Sequence, residues 1–238
     1  MSVYACSDLH GRLDLFNEIQ KFLKPDDTVY FLGDAGDRGP KGWETIKAIA
    51  ADKRWIYIKG NHEDMLIKAM EDDIKYDHLR DFNFNLLLQN DGGNTFFSWE
   101  LENNQIGWWN YLKCLPTFKT YINQQGIHIY LSHAGFNPML DNAIPDEEDL
   151  LWDRTHFLGG NAIFDADEMV VHGHTPIPYL IARTHWSNEC PVWEKGAWWY
   201  NNDHKVDLDC GSWATGNTVL LDLDTFDEHI FEIEKESV

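Results

Sequence analysis

The chain has 238 residues, 43% of them hydrophobic and 25% charged, and its 40 acidic against 19 basic side chains give a formal charge of −21. That length supports one sizeable domain with a buried core, and the composition is that of an ordinary globular protein. The acidic excess argues against general nucleic-acid binding, which needs surplus cations to displace phosphate counterions, and no apolar run is long enough for a membrane span.

In chain order, residues 2–6 (SVYAC) read as a strand, and 12–23 place Leu13, Phe16, Ile19, Phe22 and Leu23 at helical spacing. Strand 28–33, helix 42–52, strand 54–60 and helix 62–73 follow. Repeated strand–helix–strand units predict a parallel sheet with helices packed on it. From about 74 to 118 the pattern breaks into short helical stretches and polar turns, which reads as a largely helical cap inserted in a single domain spanning 1–238. Strands return over 119–133, with a hairpin turn at Gln124, Gln125 and Gly126. Further strands are expected at 168–174, 204–211, 218–225 and 228–235; the period-two alternation of the last three suggests antiparallel pairing. The N-terminal residues lack a signal-peptide pattern. Cys6, Cys114, Cys190 and Cys210 show no metal or disulfide spacing, which fits free thiols in a reducing cytoplasm.

Polar chemistry collects where apolar runs end: SDLHG (7–11), GDAGDRG (33–39), KGNHED (59–64), LSHAG (131–135) and VHGHT (171–175). Any one of these is commonly a turn, a helix cap or a structural ion pair. In an open α/β sheet, however, ligands bind beyond the carboxyl ends of the strands, so five such segments converge on one crevice. Asp8, His10, Asp34, Asn61, His133 and His174 offer carboxylate, amide and imidazole donors. That mixed set can hold two divalent ions and suits Mn, Fe, Zn or Ni better than Ca or Mg. Two such ions can clamp the attacking and leaving oxygens of an in-line phosphoryl displacement.

The ordered set D-x-H-G, G-D-x-x-D-R-G, G-N-H-E, H-A-G and G-H-T resembles the calcineurin-like metallophosphoesterases. Within them it is similar to the serine/threonine phosphoprotein phosphatase branch and its small bacterial and phage members; bacterial diadenosine tetraphosphate hydrolases share the signatures. QNDGGNTFF (89–97) and DCGS (209–212) resemble further segments of that branch. The resemblance implies a four-layer αββα sandwich with a mainly helical cap. It implies two divalent ions, manganese first among the candidates, and in-line hydrolysis by a metal-bridged hydroxide without a covalent intermediate. Asp8 and His10 would hold one metal, Asp34 would bridge, and Asn61, His133 and His174 would hold the second. His62 would be the general acid, oriented by Asp37, and Arg38 and Arg154 would bind phosphate.

On this resemblance the leading substrate is a phosphoserine or phosphothreonine protein, with a dinucleoside polyphosphate or nucleotide as the alternative and other phosphorylated small molecules in the same class. A non-catalytic metal-bound scaffold is a further reading, which the presence of His62, Asp37 and Arg38 disfavours. Neither nucleic acid nor membrane is expected as a partner, and oligomeric state stays open. Gly36 departs from the branch, which usually carries an apolar residue there, so a more mobile loop is expected; Cys210 replaces the usual threonine. For Arg154 the bland alternative is a surface salt bridge with Asp149 or Asp153. Trp186, Trp193, Trp198, Trp199 and Tyr200 are either a local hydrophobic cluster or a wall that stacks on a nucleobase. His172 is expected to pack rather than ligate.

Overall fold

The first strand shows how the layers arise. Alternate side chains of a strand point to opposite faces. In β1 (Val3–Cys6), Val3 and Ala5 enter one apolar cluster while Tyr4 and Cys6 enter another. The structure is a computed structural model that describes residues 1–76, 82–136, 145–154, 167–182, 193 and 195–233.

Two five-stranded mixed sheets form the centre. The first joins β1, β2 (Thr28–Phe31), β3 (Trp55–Tyr57), β9 (Asn217–Asp222) and β10 (Glu228–Glu232) in the order β10-β9-β1-β2-β3. Here β1, β2 and β3 run parallel, as the repeated strand–helix pattern predicts, and β9 is antiparallel to both neighbours. The second contains β4 (Phe118–Ile122), β5 (His128–Ser132), β6 (Glu168–His172), β7 (Trp198–Tyr200) and β8 (Lys205–Asp207) in the order β4-β5-β6-β8-β7. The β4–β5 hairpin pairs Ile122 with His128 and turns at Gly126, whose φ of +86° suits glycine.

Val3, Ala5, Val219 and Leu221 of the first sheet share a cluster with Ile129, Leu131, Met169, Val171 and Val206 of the second, so the sheets pack face to face. The outer face of the first sheet is covered by α1 (Leu13–Phe22), α2 (Gly42–Ala51) and α3 (Asn61–Tyr76). On the second sheet, Ile177 of α8 (Ile177–Ala182) packs with Trp198 and Tyr200. This is the layered α/β sandwich expected from the sequence. The inserted region is helical as expected: α4 (Phe82–Gln89), α5 (Gly93–Glu100) and α6 (Gln105–Lys113) contribute Leu87, Phe96, Trp99 and Leu112 to the same core as α1–α3. A further short helix, α7 (Glu147–Trp152), precedes Arg154. Among the described residues, no helix is long and apolar enough to cross a membrane.

One expectation is corrected. Strand β8 runs parallel to β6, with Val170 opposite Lys205, and only its other neighbour, β7, is antiparallel. Alternation reports a half-buried face, not strand direction. Strand β9 is buried at every residue, because the helical layer covers one face and the second sheet the other.

Leu221 is fully buried between the sheets. Leu221→Ala should therefore lower unfolding stability by about 2–5 kcal/mol, read as a reduced urea midpoint at unchanged slope.

Candidate metal centre

Because β1, β2 and β3 are parallel, their outgoing loops leave from one sheet edge, and β5 and β6 deliver their loops to the same crevice. The structure brings all six expected donors together. Asp8, His10, Asp34, Asn61, His133 and His174 are each at most 4% exposed. Asp8, His10, Asp34, Asp37, Arg38 and His174 all have left-handed backbones, with φ between 42° and 74°. Such conformations cost on the order of 1–2 kcal/mol each for residues with a Cβ, less for aspartate, and are found clustered at functional sites. Close approach also sets two glycines: a Cβ on Gly173 would lie 2.1 Å from Asp8 Oδ2, and one on Gly60 would lie 2.2 Å from Asp34 Oδ1.

Asp34 occupies the centre. Its Oδ2 lies 3.6 Å from His10 Nε2, while its Oδ1 lies 3.4 Å from His133 Nε2. One carboxylate thus faces two donor groups, His10–Asp34–His62 and Asp8–Asp34–His133, whose ligand atoms fall within 4.8 Å of one another. Asn61 Oδ1 sits between His133 Nε2 at 2.7 Å and His174 Nδ1 at 3.0 Å. Backbone carbonyls fix two rings: Gly36 O accepts from His10 Nδ1 and Leu32 O accepts from His133 Nδ1. Both Nε2 atoms are thereby turned inward.

A fit to divalent cations follows from what these groups lack. Asp8 Oδ1 and His174 Nε2 are buried without a hydrogen-bond partner. Unpartnered buried polar atoms are costly, and a cation among these oxygen and imidazole donors would satisfy them. The charges show the same tension. Burial and the nearby Asp209 push Asp8 well above the usual carboxylate range. For Asp34 burial acts upward too, but His133 and His62 outweigh it and hold the group well below that range. Burial disfavours a charged His133, yet Asp34 and Asp8 raise it to about 9. Burial, with the Arg38 cation for His10 and with His133 for His174, pushes those two imidazoles well down.

His62 is 1% exposed, and its Nδ1 lies 2.7 Å from Asp37 Oδ2. Burial acts against its proton, but Asp34 and Asp37 together raise it. Arg38 reaches His10 Nε2 at 3.0 Å and His62 Nε2 at 3.1 Å. Arg38, Arg154 and His174 line one cleft of about 620 Å³. Arg154 donates to Thr175 Oγ1 at 3.3 Å.

Several supporting groups were not singled out by the sequence. Glu63 is the main one. Its carboxylate accepts from Asp34 N, Ala35 N, Gly60 N and Tyr57 OH, each at 2.8–2.9 Å, and so ties the second metal-donor loop to the third. Its place in G-N-H-E after His62 was the available signal. Thr95 of the cap accepts from Asp37 N at 3.0 Å, and Asp91 O accepts from Arg38 N. Gly36 packs beneath Ile46 and Thr95, which accounts for the absence of a larger residue there. Ser7 donates to Asp8 Oδ2, and Ser212 donates to Asp8 O. His172 packs as expected, its Nε2 2.8 Å from Tyr200 OH.

The tryptophan-rich stretch resolves toward packing where it is described. Trp198 and Tyr200 stack at 4.5 Å, and Trp199 donates to Glu228 while packing on Phe226. Trp193 donates to Gly196 O. Trp186 and Cys190 lie outside the described residues. Among the described residues, Trp213 and Tyr179 line the arginine cleft instead.

Comparison with known proteins adds a family and several likenesses. A family model described as calcineurin-like phosphoesterase matches residues 1–210. A symmetrical bis(5'-nucleosyl)-tetraphosphatase of Nitrosococcus oceani is 30% identical over 147 residues, 60% of this chain and 47% of that protein. The chain thus spans about half the length of the curated relatives it matches. Among solved structures, a protein provisionally assigned as a diadenosine tetraphosphatase superimposes with a TM-score of 0.63 at 16% identity, over 97% of this chain and 92% of its own. A serine/threonine phosphatase of Saccharomyces cerevisiae gives a TM-score of 0.51 at 16% identity, over 100% of this chain and 81% of its own. At these identities the superpositions speak for the fold alone.

Glu63→Gln would turn an amide N–H₂ toward groups that are all donors. The expected result is a loss of about 1–3 kcal/mol in denaturant unfolding together with reduced bound metal by elemental analysis. Wild-type values for both would show that Glu63 does not brace the loops.

Proposed function

Since the chain belongs to the calcineurin-like phosphoesterase family of metal-dependent phosphoesterases, we propose that it hydrolyses dinucleoside polyphosphates in the cleft beside Asp34. The observation that carries the chemistry is Asp34 itself, whose two oxygens face different donor groups, with Arg38 and Arg154 on the adjoining cleft. The likeness to a symmetrical bis(5'-nucleosyl)-tetraphosphatase supports the nucleotide substrate over the phosphoprotein that the motifs alone put first. Two guanidiniums bring about ten N–H donors to one cleft, a capacity suited to a chain of phosphates.

In this reading Asp8, His10 and Asp34 would hold one divalent ion, and Asp34, Asn61, His133 and His174 a second, with manganese the first candidate. When bound, such a pair neutralises phosphate charge and lowers the pKa of water at the site. The chain's own residues do the rest. Arg38 and Arg154 bind and orient the phosphate oxygens. His62, held by Asp37 at Nδ1, presents Nε2 to the leaving oxygen and delivers its proton as the P–O bond breaks and water adds to phosphorus. Arg38 and a protonated His62 Nε2 both present donors and cannot keep their 3.1 Å contact. Drawing Arg38 onto phosphate therefore frees His62 Nε2 to hold the proton.

The formal charge of −21 favours the other substrate, a phosphoserine in a neutral or basic peptide, because it repels polyanions. A rate comparison decides between them. With added manganese, kcat/KM should be highest for diadenosine tetraphosphate, ahead of a basic phosphopeptide and of p-nitrophenyl phosphate. A phosphopeptide preferred more than tenfold at both low and high salt would overturn the nucleotide reading.

Two variants test the assigned roles. Asp34→Asn should lose metal by elemental analysis and with it hydrolysis, because a neutral amide cannot offset two adjacent dications. His62→Asn should keep metal but lower kcat by roughly 10²–10⁴ on substrates with poor leaving groups. The loss should shrink for p-nitrophenyl phosphate, and an equal loss on phenyl and p-nitrophenyl phosphate would remove His62 from the acid role.

A further inference from the structure

An indole left in solvent beside a charged site asks for an explanation. Trp213 is 41% exposed and Tyr179 is 42% exposed, and both open onto the cleft that holds Arg38 and Arg154. The Arg38 guanidinium lies 5.5 Å from the Trp213 ring centre, so the ring and the phosphate-facing cation are direct neighbours.

The turn that carries Trp213 is fixed. The short helix α9 (Ser212–Thr215) is bounded by Gly211 and Gly216, with φ of +63° and +83°. Ser212 Oγ donates to Asp8 O, Arg12 Nη1 donates to Ser212 O, and Thr215 Oγ1 donates to Cys210 O. The indole is thus anchored to the loop that presents Asp8, and it belongs to none of the apolar clusters of the core. A rigid aromatic face costs a ligand little ordering entropy, and every nucleobase has a π-face to lay on it. Polar residues share the lining: Gln89, Asn90 and Asp91 line the same cleft. A carboxylate there accepts hydrogen bonds from the exocyclic amine of adenine or the N–H groups of guanine, and repels phosphate toward the arginines.

We propose that Trp213, with Tyr179, forms a nucleobase platform that sets this cleft's preference for purine nucleotides over other phosphoesters. The assignment deepens the nucleotide reading of the previous section and rests on it for the reaction, but its test reads binding. AMP and ribose 5-phosphate share a phosphate and a sugar and differ by the base. Their dissociation constants for the manganese-loaded protein, measured by calorimetric titration, should differ at least fivefold in favour of AMP. Trp213→Ala should weaken AMP by roughly 5- to 100-fold, the worth of one stacked base, and bring the two ligands within about twofold of each other. Trp213→Phe should keep most of the preference, and Tyr179→Ala should lose a smaller part of it. Circular dichroism establishes that each variant is folded. Equal binding of AMP and ribose 5-phosphate by the wild type, or an undiminished preference in folded Trp213→Ala, overturns the platform. The two proposals fail separately. Hydrolysis of diadenosine tetraphosphate without a base preference keeps the reaction and removes the platform. A base preference that vanishes in Trp213→Ala, without dinucleotide hydrolysis, keeps the platform and removes the reaction.

Discussion

Burying two carboxylates a few ångströms apart is expensive unless something positive stands between them. Asp8 and Asp34 are 1% and 2% exposed, and around them stand His10, His62, His133 and His174, all buried. Much of the fold answers that requirement. Parallel strands deliver the loops to one edge, left-handed turns aim the side chains inward, and Glu63 pins two of the loops through four hydrogen bonds. Even so, Asp8 Oδ1 and His174 Nε2 stay unpartnered. A fold that accepts several strained residues and two orphaned polar atoms at one place gives up stability for chemistry there.

The outline of the fold was legible because its strongest signals are local. Helical spacing in 12–23 and strand–helix alternation through residue 73 rest on periods of 3.6 and 2, which survive in the sequence whatever the tertiary context. Strand direction was read correctly for β9 and β10, which pair antiparallel, but not for β8. The alternation near 204–211 is one of polarity alone, since β8 is buried at every residue, and its parallel partner lies some 35 residues upstream in β6. Strand β7 was hidden inside a tryptophan-rich run, because Trp198 and Tyr200 read equally well as a ligand wall and as half of a stacked core pair.

At the site, residue identity was legible and support was not. Asp8, His10, Asp34, Asn61, His133 and His174 stand in recognisable order at the ends of apolar runs, and the structure gathers them. Ser212 and Thr95 stand in segments that the resemblance marked, DCGS and QNDGGNTFF, but their contacts to Asp8 and Asp37 span 204 and 58 residues and could not be read from them. A hydroxyl that accepts or donates one hydrogen bond carries no pattern of its own. Glu63 is the intermediate case. In sequence it is an acid in the first turn of a helix, where the helix dipole already accounts for it. Only the backbone N–H groups of Asp34, Ala35 and Gly60, gathered by two strand ends, show that it does more.

Selectivity in such a molecule has to come from short range. The field of a chain with charge −21 disfavours any polyanion that comes within a Debye length, roughly 8 Å, of the surface before it reaches the cleft; farther out, salt screens it. In the phosphate-binding role proposed for them, Arg38 and Arg154 would attract any phosphate inside the cleft and so would choose nothing. An uncharged contact adjacent to the guanidinium is what distinguishes one phosphorylated ligand from another at this point. As the platform proposed above, Trp213 would be such a contact, since stacking on an indole depends on the ligand's having a flat aromatic face. The two arginines would then hold phosphate while the indole decides whose phosphate it is, and long-range repulsion would act against polyanions that cannot make the aromatic contact.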